Sequence, residues 1–395
     1  MIKAHKIRLY PNNKQVTYFN QACGVKRFAY NWALEESKRL YEEEGVQASS
    51  FDLYKRLNVI KREEFPWMYD VTTWAAQKAV YDAHDALKKW WSPKLKQRRP
   101  QFKKKNKSKE SFYIGLNAVK TKGKRLRIPR LGWVRMAQEL RFEGKLLFAV
   151  ISKTANMWFA AITVDTTDTV SKPQVIGALG VDVGIKLLAV TSDGEVFTNP
   201  RALKNGAKKL RRLQKDVMRK KEGSSNRKKA IIKLAKQHYK ITNVRRDAQH
   251  KATATITKSC STVCIENLNI AGMLKNHCLA KAVADASMAE FHRQLEYKAV
   301  WNSIMVVKAN RFYPSSKTCS GCGFIKQNLG LKNRIYKCDC CGLAIDRDLN
   351  AALNLKQLAV SHTESLNACG DGSAGLGIAP SVKLPSKKQE GGCYA

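Results

Sequence analysis

Near the C-terminal end, cysteines recur at a spacing that metal chemistry uses. Cys319-Ser-Gly-Cys322 is followed, after residues 323–337, by Cys338-Asp-Cys-Cys341. This is the C-x2-C … C-x2-C pattern of a four-thiolate zinc site, in which each turn carries two thiolates on one knuckle. Four thiolates leave no open coordination position, so the single Zn²⁺ expected on Cys319, Cys322, Cys338 and Cys341 is structural, not catalytic. Gly323 and Gly342 each follow a second cysteine and supply the backbone freedom a knuckle needs. Cys340 is spare, because Cys338 and Cys340 are one residue too close for a normal knuckle.

The second group of reactive residues is acidic. Asp182 closes an apolar run in "ALGVDVG", and Glu266 closes another in "TVCIENL". A strand that buries both faces is a costly place for a lone carboxylate, which needs a partner or a cation. Asp346 and Asp348 flank Arg347 in "AIDRDLNAALN", where a helix pattern begins. A single aspartate there is usually an N-cap. Strand-end acid, strand-end acid and helix-start acid together have the layout of RNase H-like nucleases. In these, three carboxylates on one edge of a mixed sheet hold two divalent ions about 4 Å apart, which activate water and stabilise the leaving oxygen. All-oxygen ligands shared with phosphate suit Mg²⁺. On spacing alone, either Asp346 or Asp348 completes the set.

The elements that position these residues follow from periodicity. "HKIRLYP" alternates polar and apolar up to Pro11, the mark of an opening strand. Residues 14–91 read as helices, with Val25, Phe28, Ala29 and Trp32 on one face and Trp90 and Trp91 packing into the core at the end. The basic run "SPKLKQRRPQFKKKNKSKE" reads as a phosphate-contacting loop, and residues 111–167 as strands of a small β-domain. After "VSKPQ" come three short strands and two basic helices, one with a stripe of Leu210, Leu213 and Val217, the other with Ile231, Leu234 and Ile241. A strand, a helix, a strand, the cysteine-rich insert and a closing helix complete the pattern, before a Gly/Ser/Lys-rich tail.

Composition narrows the partners. Lys+Arg 72 against Asp+Glu 32 gives a net charge of +40, and such a chain repels itself unless a polyanion neutralises it. Nucleic acid fits; a membrane surface does not, because the charge is spread along the length instead of gathered beside one amphipathic anchor. The N-terminus lacks an apolar signal segment, and the apolar runs are too short to span a bilayer, so a cytoplasmic protein is expected. Eleven cysteines in such a chain favour metal binding over disulfides.

Several stretches resemble the TnpB (OrfB) family of bacterial insertion sequences, which is similar to the RuvC-type nucleases of type V CRISPR systems. They are "GVDVGIKLLAVTSDG", "VCIENLNIAGMLKNHCLAKAVADASMAEFHRQLEYKA", "FYPSSKTCSGCG", "CGLAIDRDLNAALN", "KIRLYPNNKQ", "FAYNWAL" and "QFKKKNKSKESF". The resemblance spans the first residues to about 357. It implies a multidomain α+β and α/β chain. Residues 1–13 and 96–170 would form a wedge-like β-barrel, with a helical recognition domain at 14–95 inserted in it. An RNase H-like (RuvC) domain at 171–312 and 344–358 would carry a zinc ribbon at 313–343, and 359–395 would be a disordered tail.

The same resemblance implies an RNA-guided endonuclease that cuts double-stranded DNA beside a short transposon-adjacent motif. The guide RNA would derive from the transposon, with one protein chain per RNA, in the bacterial cytoplasm and at the nucleoid when DNA-bound. It assigns the catalytic and Mg²⁺-binding triad to Asp182, Glu266 and Asp348, leaving Asp346 as a supporting or capping acid and Arg347 to meet phosphate. It also places the reading of the DNA motif near Thr73 and Gln77, where a glutamine can pair bidentately with adenine. The alternatives are a nuclease-inactive RNA-guided DNA binder, which would lack acids of the triad, and a cut-and-join transposase, whose triad usually ends in Glu. A basic structural RNA-binding protein would leave the three acids unexplained.

Overall fold

A computed structural model describes residues 1–166, 177–330 and 333–368, with side chains to residue 363. It divides into two compact units, Met1–Thr169 and Val170–Ala395.

The first unit opens with β1 (Ile2–Tyr10), then α1 (Asn13–Glu44), α2 (Ser50–Ile60), a short 3-10 turn and α3 (Thr73–Trp91). Six strands follow: β2 (Ser111–Ile114), β3 (Lys120–Lys122), β4 (Arg125–Ile128), β5 (Gly132–Met136), β6 (Lys145–Thr154) and β7 (Met157–Asp165). A capping box starts α1: the Asn12 side chain takes the Gln15 N–H, and the Gln15 side chain takes the Asn12 N–H. Gly45, at φ 65°, ends it in the left-handed region. The strands form one antiparallel sheet in the order β2-β6-β7-β1-β5-β4-β3, in which the opening strand β1 joins the later strands near the middle. That order has two ends, so among the described residues the strands make an open sheet and not the closed ladder of a barrel. Sheet and helices share one core: the Phe19 ring lies 4.9 Å from Trp158 and 5.7 Å from Phe112.

Trp90 and Trp91 depart from their expected place in the core. The buried face of α3 runs Ala75, Ala76, Ala79, Val80, Ala83, Leu87 and stops there. The last turn overruns the core, leaving the two tryptophans 37% and 38% exposed. They line an open cavity of about 820 Å³ with Tyr41, Arg99 and Phe102, and the Arg99 guanidinium sits 5.6 Å from the Trp90 ring centre.

The second unit contains β8 (Ala178–Asp182), β9 (Leu187–Thr191), β10 (Val196–Thr198), α4 (Ala202–Met218), α5 (Ser225–Ile256) and β11 (Thr262–Ile265). It continues with α6 (Ile270–Met273), α7 (Ala280–Ala286), α8 (Met288–Trp301), β12 (Met305–Lys308), β13 (Ile335–Lys337), β14 (Ala344–Asp346) and α9 (Arg347–Ala368). Its sheet runs β10-β9-β8-β11-β12, with β8, β11 and β12 mutually parallel and β9 and β10 antiparallel. The parallel strands are nearly all apolar because α8 covers one face and α9 the other.

The basic hairpin α4–α5 packs through Ala202, Leu210 and Ile241, with Leu203 and Leu234 beside them. Ile231, expected in the stripe, is 47% exposed, because the helix turns Ala230 inward instead. The Asp285 carboxylate caps α4 from α7, accepting the N–H groups of Leu203 at 2.8 Å and Lys204 at 3.0 Å. The closing helix does not end at 358, since its Leu358 and Ala359 still pack in a cluster with Cys264 and Val307 of the sheet and it continues to Ala368. The rest of the expected tail lies outside the described residues.

Candidate active site and four-cysteine centre

Asp182 is the last residue of β8, and Glu266 follows the last residue of β11. These strands are parallel neighbours with Val181 opposite Ile265. The two acids therefore leave adjacent strands at one level and on one face, with strand axes about 4.8 Å apart. Both are half-buried. The third acid arrives on α9, which lies against β8 so closely that a Cβ on Gly180 would stand 1.9 Å from the Ala352 carbonyl oxygen. Asp348 occupies the first turn of that helix.

Electrostatically the acids act as one group. Burial, then the charges of Glu266 and Asp348, push the Asp182 carboxyl well above the carboxylate range, against the pull of Arg347. Burial also raises Glu266, opposed by a hydrogen bond from Ser315 and by Arg347. Two carboxyls that resist ionisation, Asp182 and Glu266, at a half-open sheet edge are hard oxygen donors that a divalent cation would relieve.

The two aspartates of the helix start are distinct in geometry. Asp346 Oδ1 accepts the N–H of Asp348 at 2.9 Å and of Leu349 at 3.2 Å, so one oxygen of this side chain caps α9. Asp348 Oδ1 makes a long contact, 3.9 Å, with Arg334. Arg347 donates to the Gly330 carbonyl at 3.5 Å. Thr73 and Gln77 lie one turn apart at the start of α3, Thr73 exposed and Gln77 half-buried.

The cysteines form a much tighter set. Sγ atoms of Cys319, Cys322, Cys338 and Cys341 all lie within 4.8 Å of one another, a spacing that no set of acids reaches among the described residues. Cys319–Cys341 and Cys322–Cys338 are both 3.6 Å apart. That is too long for a disulfide and close to the edge of a tetrahedron with metal–sulfur bonds of about 2.3 Å. The knuckles repeat one construction. Cys319 N–H donates to the Phe324 carbonyl and Cys338 N–H to the Leu343 carbonyl, each at 2.8 Å. Gly323 and Gly342 take φ of 77° and 75°.

Cys340 contributes its N–H to Cys338 Sγ at 3.4 Å. Burial raises the Cys338 thiol, but N–H donors from Cys341 and Cys340 and the thiols of Cys322 and Cys319 bring it down to about 6. The donor set fits Zn²⁺. Cys341→Ser is expected to lower metal content from about one equivalent to near none and to make residues 313–343 protease-sensitive, as mass spectrometry of the metal and of the fragments will show.

Sequence reasoning missed the groups that tie this centre to the acids. Asn350 and Asn354 are wholly buried on α9. Asn350 Nδ2 donates to the Thr318 carbonyl at 2.7 Å, and its Oδ1 accepts the Ser320 N–H at 2.9 Å. Asn354 Nδ2 donates to the carbonyls of Ser315 and Thr318, each at 2.7 Å. The one available signal was two asparagines four residues apart beside alanines and leucines, polar residues on an otherwise apolar helix face.

A mixed α/β fold with strand-end acids and an inserted four-cysteine centre is the class this geometry defines. Within it, the chain belongs to the TnpB (OrfB) family of insertion-sequence proteins. Residues 161–277 match the OrfB_IS605 family, described as "Probable transposase"; 289–355 match "Cas12f1-like, TNB domain"; and 1–46 match a "Helix-turn-helix domain". In the structure that last segment is β1 and the single helix α1, without a second helix. A Streptomyces pristinaespiralis protein named "Putative RNA-guided DNA endonuclease" is 32% identical over 375 residues, covering 94% of this chain and 91% of its own. "Putative RNA-guided DNA endonuclease InsQ" of Escherichia coli K12 is 28% identical over 393 residues, covering 94% of each. The cryo-EM structure of a Cas12f1-sgRNA-target DNA complex aligns over 90% of this chain and 99% of that one, at 17% identity and a TM-score of 0.35. No helix among the described residues is long and apolar enough to cross a membrane.

Proposed function

We propose that this chain is an RNA-guided endonuclease that cuts double-stranded DNA beside a short transposon-adjacent motif, using an RNase H-like (RuvC) site. One observation carries the reading. The β8–β11 register sets Asp182 and Glu266 side by side at the sheet edge, where α9 delivers Asp348. Asp182, Glu266 and Asp348 would hold two Mg²⁺ ions. When bound, such ions activate water and stabilise the leaving oxygen of a phosphodiester.

The protein's own contribution is to fix the acids. Asp346 Oδ1 caps α9, which supports Asp348 as the third ligand. Arg347 adds a positive charge beside the acids for an incoming phosphate. Zn²⁺ on the four cysteines would hold the insert, and the net +40 charge would be neutralised by a transposon-derived guide RNA and the target. Thr73 and Gln77 at the start of α3 would read the adjacent motif, and one chain would serve one RNA. The site of action would be the cytoplasm and nucleoid of a bacterial cell. The first unit would serve as the wedge and recognition portion.

Purification from a native host, sequencing of the co-purified RNA, and challenge of a plasmid library with randomised flanks in Mg²⁺ test the reading. The expected result is cutting only at guide-matched sites beside one short motif. Cutting independent of the RNA would end it. The "Probable transposase" description of the matched family makes a joining reaction the second reading, and strand-transfer products in the same reactions would favour it.

A further inference from the structure

We propose that Ser315 is a positioning residue for Glu266, held in place by α9 through Asn354. The inference rests on the reading of Glu266 as an ion ligand. Ser315 is only 3% exposed, and its Oγ donates a short hydrogen bond to Glu266 Oε1. A glutamate at a strand end has three side-chain torsions to settle. Locking one oxygen leaves the other pointing in a defined direction, as outer-shell hydrogen bonds do for ligating carboxylates.

The serine is itself immobilised. Its carbonyl accepts from Asn354 Nδ2, which also reaches the Thr318 carbonyl. One helical turn earlier Asn350 holds Thr318 and Ser320. Segment 315–320, which runs into the first knuckle, is thus stapled to the helix that carries Asp348. The same helix packs its backbone on Gly180 of the strand that ends in Asp182. One rigid element therefore sets all three acids: Asp348 directly, Asp182 through β8, and Glu266 through Asn354 and Ser315.

The test uses the full chain with its co-purified RNA. Ser315→Ala should raise the Mg²⁺ concentration for half-maximal cutting by about 10- to 100-fold. Mn²⁺ binding to the complex, counted by electron paramagnetic resonance without turnover, should weaken in parallel. Zinc content and guided target binding should stay at wild-type levels. Ser315→Thr and Ser315→Val form a second pair that differ by a hydroxyl and not by bulk; Thr should recover ion binding and Val should not.

Wild-type ion dependence in Ser315→Ala, or equal behaviour of the Thr and Val variants, overturns the inference. So does loss of zinc in step with loss of cutting, because that marks a role in folding the insert. If Asp182→Ala still cuts, the active-site reading itself fails, a result distinct from any of these.

Discussion

Asp182→Ala is expected to reduce target cutting by about 10³-fold or more, with RNA binding and guided target binding retained. A quieter variant, Asp182→Asn, separates charge from shape and gives the opposite sign in stability. Burial and the charges of Glu266 and Asp348 raise the folded-state value of this carboxyl well above its ordinary 3.8. Such a group holds its proton in the folded protein at pH values where the unfolded chain has released it. Its favourable contribution is therefore present at low pH and is lost as pH rises through the raised value. Near neutral pH, without added divalent ion, keeping this carboxyl buried beside Glu266 and Asp348 costs stability that the unfolded chain does not incur, and Asn removes that cost. Asp182→Asn should melt roughly 2–4 °C higher than wild type at pH 7.5, with the gap closing toward pH 4. Added Mg²⁺ should raise the melting temperature of the wild type alone. A less stable Asp182→Asn, or a wild type indifferent to Mg²⁺, would contradict the electrostatic account.

The second large effect comes from a residue with no side chain. Gly180 sits in the middle of β8, and an added Cβ would stand 1.9 Å from the Ala352 carbonyl oxygen and 2.4 Å from the Lys356 nitrogen. Both are backbone atoms of α9, so no rotamer change relieves the clash and the helix must lift off the strand. Overpacking ordinarily costs about 1–3 kcal/mol, and a backbone-to-backbone clash belongs at or beyond the upper end. Gly180→Ala is thus expected to melt lower by roughly 6 °C or more. Cutting should fall by about 100-fold, because Asp348 rides on the displaced helix and an error near 1 Å is enough for that loss. Gly177→Ala, where nothing lies within 4 Å of the new methyl, is the control and should match wild type. Calorimetry and a cleavage time course on both variants decide it; a Gly180→Ala protein as stable as the control would show that α9 is not clamped to β8.

On the proposed reading, stability and function pull against each other at this sheet edge. Burial disfavours the charges of Asp182 and Glu266, and the packing of α9 on β8, the Asn350–Asn354 staple and the Ser315 hydrogen bond keep the acids there. A substitution that relaxes the repulsion should stabilise the fold and silence the chemistry, the usual trade at a strained functional site.

What the sequence alone determined is short-range. The C-x2-C spacing places paired sulfurs on one knuckle whatever the rest of the chain does, and glycine after each second cysteine marks the left-handed residue that the structure contains. An apolar strand ending in an acid was readable at Asp182 and Glu266, because alternation and run length are local properties. The tertiary structure alone decided what distant segments do to one another. It set β8 beside β11 in a register that aligns the two acids. It left Trp90 and Trp91 at the surface, because α3 is longer than the core beneath it. Ser315, Asn350, Asn354 and Gly180 stayed invisible for one physical reason: a buried polar group or a missing Cβ has meaning only through the partner it meets. Those partners are remote in the chain. Asn350 meets Ser320 across 30 residues and Ser315 meets Glu266 across 49, while Gly180 meets Ala352 from the opposite end of the second unit.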